Sequence, residues 1–275
     1  MTATLRADEF DFIASFLKQR SGLALTQDKM YLVESRLQPI ARAQGCKDLS
    51  ELITRIRTNV ASAGVQTEVT EAMTTNESSF FRDTKPFEHF TKLVIPKLRE
   101  SNPGMNLLRV WSAACSTGQE PYSLAMAFKE EEAKLPNLRC DILGTDIADK
   151  VIERAQKAQY SQFEVQRGLP IQLLIKYFRQ LPENNWEMHE PVRKLARFQN
   201  VNLLTPFNTL GQFEVIFCRN VLIYFDEKTK SDVMNRLADA LVQGGFLFLG
   251  SAESTLGLTT CFKPVEGTNG LFTKA

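Results

Sequence analysis

Apolar positions in the first seventy residues recur three and four apart, on a helical period. Phe12, Ile13, Phe16 and Leu17 follow the acidic cluster Asp8, Glu9 and Asp11, and Ser21-Gly22 supplies a stop. A second helix is expected to start near Thr26-Gln27-Asp28, to turn Leu32, Val33, Leu37 and Ile40 inward, and to end near Gln44-Gly45. A third spans roughly Asp48 to Asn59 and carries Leu49, Leu52, Ile53 and Ile56. No strand pattern breaks this section, so residues 1–70 are expected to form a small all-α domain.

From Asn106 the pattern changes to short apolar runs alternating with helical stretches. LLRVWSAA, CDILGTDI, FEVIFCRN and GGFLFLGSA read as four strands. Helices are expected through Tyr122 to Glu132, over Asp149 to Gln156 and from Glu227 to Leu241. The ending FKPVEGTNGLFTKA reads as two strands joined by a glycine-containing turn. Alternating β and α units imply an α/β fold with a doubly wound, mostly parallel, Rossmann-like sheet and an antiparallel edge. Between Tyr160 and Asn202 the rhythm is interrupted by a short helix (Pro170 to Phe178), the turn-like Pro182-Glu183-Asn184-Asn185, and the runs NWEMHE and KLARFQNV. This stretch predicts a small antiparallel, hairpin-bearing insertion at about 160–200.

Composition narrows the class. The 275 residues suffice for one large domain or two modest ones, and a net charge of +1 supplies no overall field toward nucleic acid or membrane. The five cysteines (Cys46, Cys115, Cys140, Cys218, Cys261) are dispersed, without C-x-x-C, and only His89 and His189 add imidazoles. Neither a disulfide framework nor a metal site is expected, and a reducing cytoplasm is. The opening MTATLRADEFDF has no basic segment followed by an apolar run, and no run of about eighteen apolar residues occurs, so no membrane insertion is expected.

In open α/β sheets, ligands sit beyond the carboxyl ends of the strands. After the first strand comes Ala113 to Glu120, with Gly118 its only glycine, which does not match the G-x-G-x-x-G grip on a pyrophosphate. That pattern points to a ligand without phosphates and away from a nicotinamide dinucleotide. After the second strand comes Asp146, placed either to hold ribose hydroxyls or to cap the next helix. Glu120 either faces a ligand or occupies a first helical turn favoured by the dipole. After the third strand comes Cys218-Arg219-Asn220, which either faces the ligand or satisfies nearby backbone groups. A ribose-and-adenine ligand accounts for all three polar strand ends at once, and suggests S-adenosylmethionine.

Five stretches make the resemblance specific: TTNESSFFRD (74–83), RVWSAACSTGQEPYSLA (109–125), ILGTDI (142–147), VNLL (201–204) and IFCRNVLIYF (216–225). Across nearly its whole length the chain resembles the CheR-type protein-glutamate O-methyltransferases, which methylate chemotaxis receptors. The resemblance implies a helical receptor-docking domain over 1–70 and a linker over 71–90 that contributes cofactor contacts. It also implies an S-adenosylmethionine-dependent methyltransferase domain over 91–275, with S-adenosylhomocysteine as product. Cofactor contacts are implied for Asn76, Ser78 and Arg82, for Glu120 near the methionine or ribose part, and for Asp146 at the ribose. Asn202 and Leu203 are implied by the adenine, and Asn220 and Val221 along the cofactor's other side. Relatives often have Thr in place of Ser78 and Gly-Glu-Glu-Pro where this chain reads Gly-Gln-Glu-Pro; the hydroxyl and Glu120 are kept.

A substrate glutamate is ionised at pH 7, because its reference pKa is about 4.3, and can attack a sulfonium methyl without a general base. Orientation and a dry, preorganised pocket then carry the catalysis. Arg82 is the candidate for steering the carboxylate. Tyr224, four residues past Asn220, is the candidate for a hydrogen bond near the transferring methyl. The implied substrate is the cytoplasmic coiled coil of a chemoreceptor, reached by a cytoplasmic, monomeric enzyme recruited to membrane receptor arrays. Eight Lys/Arg against four acids between Leu17 and Arg57 suit an acidic partner, with Arg36 and Arg42 as candidate docking residues. Some relatives grip a receptor tether peptide through a glycine-rich turn in the insertion; this chain has RQLPENNWEMHE there, so a tether-independent enzyme is expected. A regulatory protein partner is left open. Nucleic acid is not expected as substrate, since neither an Asn/Asp-Pro-Pro-aromatic motif nor a basic footprint is present.

Overall fold

The computed structural model describes residues 5–275; the first four residues of the MTATLRADEFDF stretch lie outside the described residues. The chain divides into two compact units, one of residues up to Thr75 together with Tyr224–Thr229, the other of Asn76–Ile223 and Lys230–Ala275.

The first unit is helical. Helix α1 (Ala7–Ser21) buries Phe10, Ile13 and Leu17 along one stripe. It ends at Gly22, whose φ of 79° lets its N–H donate back to the Lys18 carbonyl at 2.9 Å. Helix α2 (Met30–Ala43) contributes Val33, Leu37 and Ile40 to the same core. Helix α3 (Leu49–Arg57) starts at Asp48, whose carboxylate accepts from the Glu51 N–H at 2.9 Å. Helix α4 (Ala63–Met73), not anticipated from the sequence, is capped by Ser62 and buries Val69 and Met73.

Arg36 is not a free docking cation. Its guanidinium donates to the Met73 and Thr74 carbonyls at 2.9 Å each, closing the C-terminus of α4. Arg42 remains exposed. The returning segment 224–229 is held within this unit by the Ala24 N–H, which donates to the Tyr224 carbonyl at 2.9 Å. A Lys18–Asp226 ion pair at 2.6 Å adds a second tie.

The second unit opens with an extended stretch and then a continuous helical rod. The rod comprises α5 (Lys85–His89), a π-helical turn (Phe90–Val94) and α6 (Ile95–Ser101). Pro96 has no N–H to offer the preceding turn, and the ladder widens there. The stretch between helices is therefore 74–84, shorter than the 71–90 linker read from the sequence.

There follow β1 (Leu107–Ala113), α7 (Gln119–Glu131), β2 (Arg139–Asp146), α8 (Asp149–Lys157), β3 (Gln159–Ser161), α9 (Gln162–Gln166) and α10 (Ile171–Tyr177). Next come β4 (Phe178–Leu181), β5 (Asn185–Met188), α11 (Glu190–Arg193), β6 (Ala196–Asn200) and β7 (Phe213–Cys218). The chain ends with α12 (Glu227–Ala240), β8 (Leu241–Leu249), β9 (Phe262–Pro264) and β10 (Leu271–Lys274).

The main sheet has the order β6-β2-β1-β7-β8-β10-β9, with β6, β2, β1, β7 and β8 parallel and β10 antiparallel to both its neighbours. Its central strands are buried on both faces, which is why they read as unbroken apolar runs. The chain steps outward from β1 to β2 and β6, then returns to the other side of β1 as β7. That reversal puts the switch point at the carboxyl ends of β1 and β7.

One assignment from the sequence is corrected. KLARFQNV was grouped with the insertion, but Ala196–Asn200 pairs parallel with β2, from Ile142↔Ala196 to Asp146↔Asn200, as an edge of the main sheet. The insertion's own sheet is β3-β5-β4, and its hairpin turns through Glu183 and Asn184, both at positive φ and without a glycine.

Candidate functional site

At the end of β1 the chain reverses through Ala114 (φ 58°), Ser116 (φ 53°) and Gly118 (φ 93°) into α7. The glycine has a packing reason. A Cβ on Gly118 would lie 2.9 Å from the Ala155 Cβ of α8 and 3.1 Å from the Tyr160 hydroxyl. The turn is thus pressed against α8, and Tyr160 donates to the Thr117 carbonyl at 2.9 Å from within the core. Close helix–loop packing is therefore what requires the glycine at 118.

Asp146, at the end of β2, is 6% exposed and does not cap α8 in the ordinary way, because the N-cap position is Ala148. Its two carboxylate oxygens accept from the Ser116 N–H at 2.9 Å and from the Ala148 N–H at 3.1 Å. The carboxylate therefore ties the β1 loop to the β2 loop. The Asp146 carbonyl accepts from the Val201 N–H at 2.9 Å, which brings the end of β6, and Asn202 after it, to the same rim.

Glu120 sits in the first turn of α7, where the dipole favours it, but its carboxylate is held further. Ser112 of β1 donates to Oε1 and Arg219 donates to Oε2, each at 2.8 Å. Arg219, at the end of β7, has a side chain 1% exposed. Its Nη2 donates to Asp83 Oδ2 at 2.6 Å and to the Arg82 carbonyl at 3.0 Å, while Nε is buried without a partner among the described residues. A buried guanidinium is tolerable only with such anionic partners. Ser116 Oγ donates to the Asn76 carbonyl at 2.8 Å. The 76–84 stretch is thus fastened at both ends to the strand-end loops.

Beyond Arg219 the chain passes through Asn220 (φ 59°) into a loop whose donors converge on one acid. Glu253, after β8, accepts from the backbone N–H groups of Asn220 (2.8 Å), Val221 (3.0 Å), Leu222 (2.8 Å), Ile223 (3.3 Å) and Gly250 (2.6 Å). Leu203 is buried and its carbonyl accepts from Arg236 at 2.8 Å, while the Asn202 side chain accepts from the Leu204 N–H at 3.0 Å.

The strand ends thus bring together Asn76, Glu120, Asp146, Asn202, Asn220 and Val221. Ser78 and Arg82 lie on the fastened stretch. There they line a cavity of about 360 Å³ with Ser79, Thr84, Arg167 and Gly168. Tyr224 belongs to the helical unit, where its carbonyl pairs with Ala24. Sequence reasoning passed over Ser112, Asp83 and Glu253; of its two alternatives for Arg219, contact with nearby backbone is met at the Arg82 carbonyl, while the pairing with Glu120 and Asp83 was not foreseen. A search for polar residues after β8 as well as after the first three strands finds Glu253.

Six of the eleven non-glycine residues with positive φ among the described residues (Phe81, Asp83, Thr84, Ala114, Ser116, Asn220) lie on these segments. Such conformations cost about 1–3 kcal/mol each and persist where the surroundings over-determine them. Burial pushes the thiols of Cys115 and Cys218 well above their ordinary range, so both are protonated and inert at the strand ends.

Asp83 and Glu120 share one buried guanidinium, and Asp146 ends β2 held by backbone N–H groups, so the strand ends carry more acid than base. That repels a pyrophosphate and suits a cationic, phosphate-free nucleoside such as S-adenosylmethionine. Among the described residues no group of three or more His, Cys, Asp or Glu is arranged to hold a metal ion, and no helix is long and apolar enough to cross a membrane.

Comparison with known proteins agrees over both units. Residues 76–271 match the family profile described as "CheR methyltransferase, SAM binding domain", and residues 8–74 match "CheR methyltransferase, all-alpha domain". The chain is 39% identical over 270 residues to "Chemotaxis protein methyltransferase Cher2" of Pseudomonas putida, covering 97% of this chain and 98% of that one. It is 39% identical to "Chemotaxis protein methyltransferase 1" of Pseudomonas aeruginosa, covering 97% of each. To "Chemotaxis protein methyltransferase 1" of Vibrio cholerae it is 35% identical, covering 100% of this chain and 99% of that one. The chain belongs to the CheR methyltransferase family, with S-adenosylmethionine as its cofactor.

Proposed function

We infer that this chemotaxis methyltransferase esterifies glutamate side chains on the cytoplasmic helices of a chemoreceptor. The observation that carries the reading is the setting of Arg82. Its backbone carbonyl is gripped by Arg219, while its own exposed guanidinium makes only a 3.4 Å contact to the Glu77 carbonyl. A fork donor held on a fixed stretch without an acid of its own is suited to receive a carboxylate from outside.

The cofactor, when bound, supplies an electrophilic methyl on a sulfonium centre. The residues proposed to hold it are Asn76, Ser78 and Arg82 on the fastened stretch, Glu120 at the methionine or ribose part and Asp146 at the ribose. Asn202 and Leu203 are assigned to the adenine, and Asn220 and Val221 to its other side. A glutamate arrives already ionised, so no residue has to remove a proton, and the absence of a free basic thiol is no handicap. Arg82 orients the incoming carboxylate without a full bidentate clamp, since tight pairing lowers its nucleophilicity. Tyr224 is assigned a hydrogen bond near the transferring methyl on the strength of its place one residue past Ile223, whose N–H is bound by Glu253. The helical unit docks on the receptor, with Arg42 rather than Arg36 on the docking face. The glycine-free hairpin supports a tether-independent enzyme.

The test incubates the protein with radiolabelled S-adenosylmethionine and a chemoreceptor cytoplasmic fragment, and measures volatile methanol released by base. Base-labile label on glutamate supports the reading; base-stable label or none removes it. Full activity in both Arg82→Ala and Tyr224→Phe would remove the catalytic assignment.

A further inference from the structure

The cavity beside Arg82 holds a second arginine that the reading above leaves without a task. Arg167 follows α9, and Gly168 comes next with φ 92°. A Cβ on Gly168 would stand 2.2 Å from the Phe80 carbonyl oxygen, so this turn is laid directly against the 78–84 stretch. Arg167 is exposed at the rim and has no side-chain partner among the described residues. The polar part of the remaining lining includes Arg82 and the hydroxyl residues Ser78, Ser79 and Thr84, beside Phe80 and Phe81. The one acid there, Asp83, is turned to Arg219, a cation that it shares with Glu120. Two guanidiniums without an acidic partner and three hydroxyls in about 360 Å³, against one acid already bound to Arg219, suit the cavity to anionic groups.

We propose that Arg167 is a specificity-determining residue that receives a second carboxylate of the substrate, beside the one being methylated. The proposal rests on the glutamate-methylation reading. Both guanidiniums on the reacting carboxylate would lower its nucleophilicity. Dividing the work lets Arg82 orient the reacting group while Arg167 selects an acidic neighbour and fixes the register of the substrate helix. The close approach of Gly168 to the Phe80 carbonyl puts the backbone of Arg167 beside the stretch that carries Arg82, so the two guanidiniums line one cavity.

The test uses the full-length enzyme and two chemoreceptor cytoplasmic fragments, one with acids flanking the methylated glutamate and one with those acids changed to glutamine. Wild type is expected to favour the acidic fragment by about five- to tenfold in kcat/KM. Arg167→Gln should lose that preference through a raised KM on the acidic fragment alone. Its kcat and its affinity for S-adenosylhomocysteine by calorimetry should stay at wild-type values, and Arg167→Lys should recover part of the preference. Equal loss on both fragments, a parallel fall in S-adenosylhomocysteine affinity, or an unchanged KM would each overturn the proposal. Wild type that methylates both fragments equally overturns it while leaving the glutamate reading intact. Wild type that methylates neither removes the glutamate reading, and the proposal with it.

Discussion

Glu120 and Arg219, ninety-nine residues apart in sequence, meet at 2.8 Å where β1 and β7 end, and Asp83 closes the set from the other side of the guanidinium. Arg219 is the hub, since its side chain is 1% exposed while those of Glu120 and Asp83 are 14% and 46% exposed. Removing the cation leaves a mostly buried carboxylate uncompensated. Arg219→Met is expected to destabilise the protein by about 3–5 kcal/mol and to abolish cofactor binding. Glu120→Gln, which keeps shape and the Ser112 contact, should cost less stability but lower S-adenosylmethionine affinity. Urea unfolding and calorimetry read the two effects separately, and an Arg219→Met protein as stable as wild type would count against the hub.

Glu253 gathers five backbone N–H groups, and no neutral residue of its size accepts so many. Glu253→Gln substitutes two donor hydrogens for part of that acceptor surface. A loss of about 2–4 kcal/mol is expected, with amides of 220–223 becoming the fastest-exchanging of the β7–α12 connection. Hydrogen–deuterium exchange measures this; unchanged protection there would show that the loop is held by something else.

Gly118→Ala meets two obstacles, a left-handed φ of 93° and a Cβ 2.9 Å from Ala155. The two together are expected to cost about 2–4 kcal/mol. Ala155→Gly in the same chain removes the closest steric contact and should restore part of the loss, leaving the backbone strain and the contact with the Tyr160 hydroxyl. The comparison of the two midpoints in urea separates the Ala155 contact from the rest, and no recovery in the double variant would place the whole cost outside it.

Asp226 contributes a pH dependence to the helical unit. Hydrogen bonding to the Lys18 ammonium first, and then to Thr229 at the start of α12, holds its carboxyl well below the usual carboxylate range. A folded-state value below the unfolded one stabilises the protein above pH about 4 and is lost as pH falls toward the folded value. Because Lys18 is half exposed, Asp226→Asn is expected to cost only about 1 kcal/mol at neutral pH. The gap between variant and wild type should narrow steadily below pH about 4. Denaturant curves at several pH values check the sign, and a gap that widens in acid would reverse it.

The strands were legible because burial on both faces leaves long apolar runs, and the α1–α3 helices because their core faces are periodic. Less was legible where the pattern is set by distant chain. KLARFQNV alternates like an exposed hairpin strand, yet β2 recruits it as a parallel edge; only the tertiary pairing decides between the two. The continuous rod from Lys85 to Ser101 was hidden by Pro86 and Pro96, which argue locally against a helix. At the site, the polar strand ends named Glu120, Asp146 and Asn220 from position alone. Arg36 looked like a free surface cation because the carbonyls it closes lie thirty-six to thirty-eight residues away. Glu253 is a lone acid in Ser-Ala-Glu-Ser, and its five partners come largely from a loop some thirty residues earlier.

The closure by Glu253 also sets an order of events during synthesis. The loop after β7 offers four N–H groups to an acid that is translated thirty to thirty-three residues later. Until that residue leaves the ribosome, the loop after β7 lacks its acceptor, while Arg219 closes contacts to Asp83 and Glu120 across 136 and 99 residues of chain. A nascent chain stopped before position 253 would carry most of the sheet but lack the one acid that gathers the 220–223 amides.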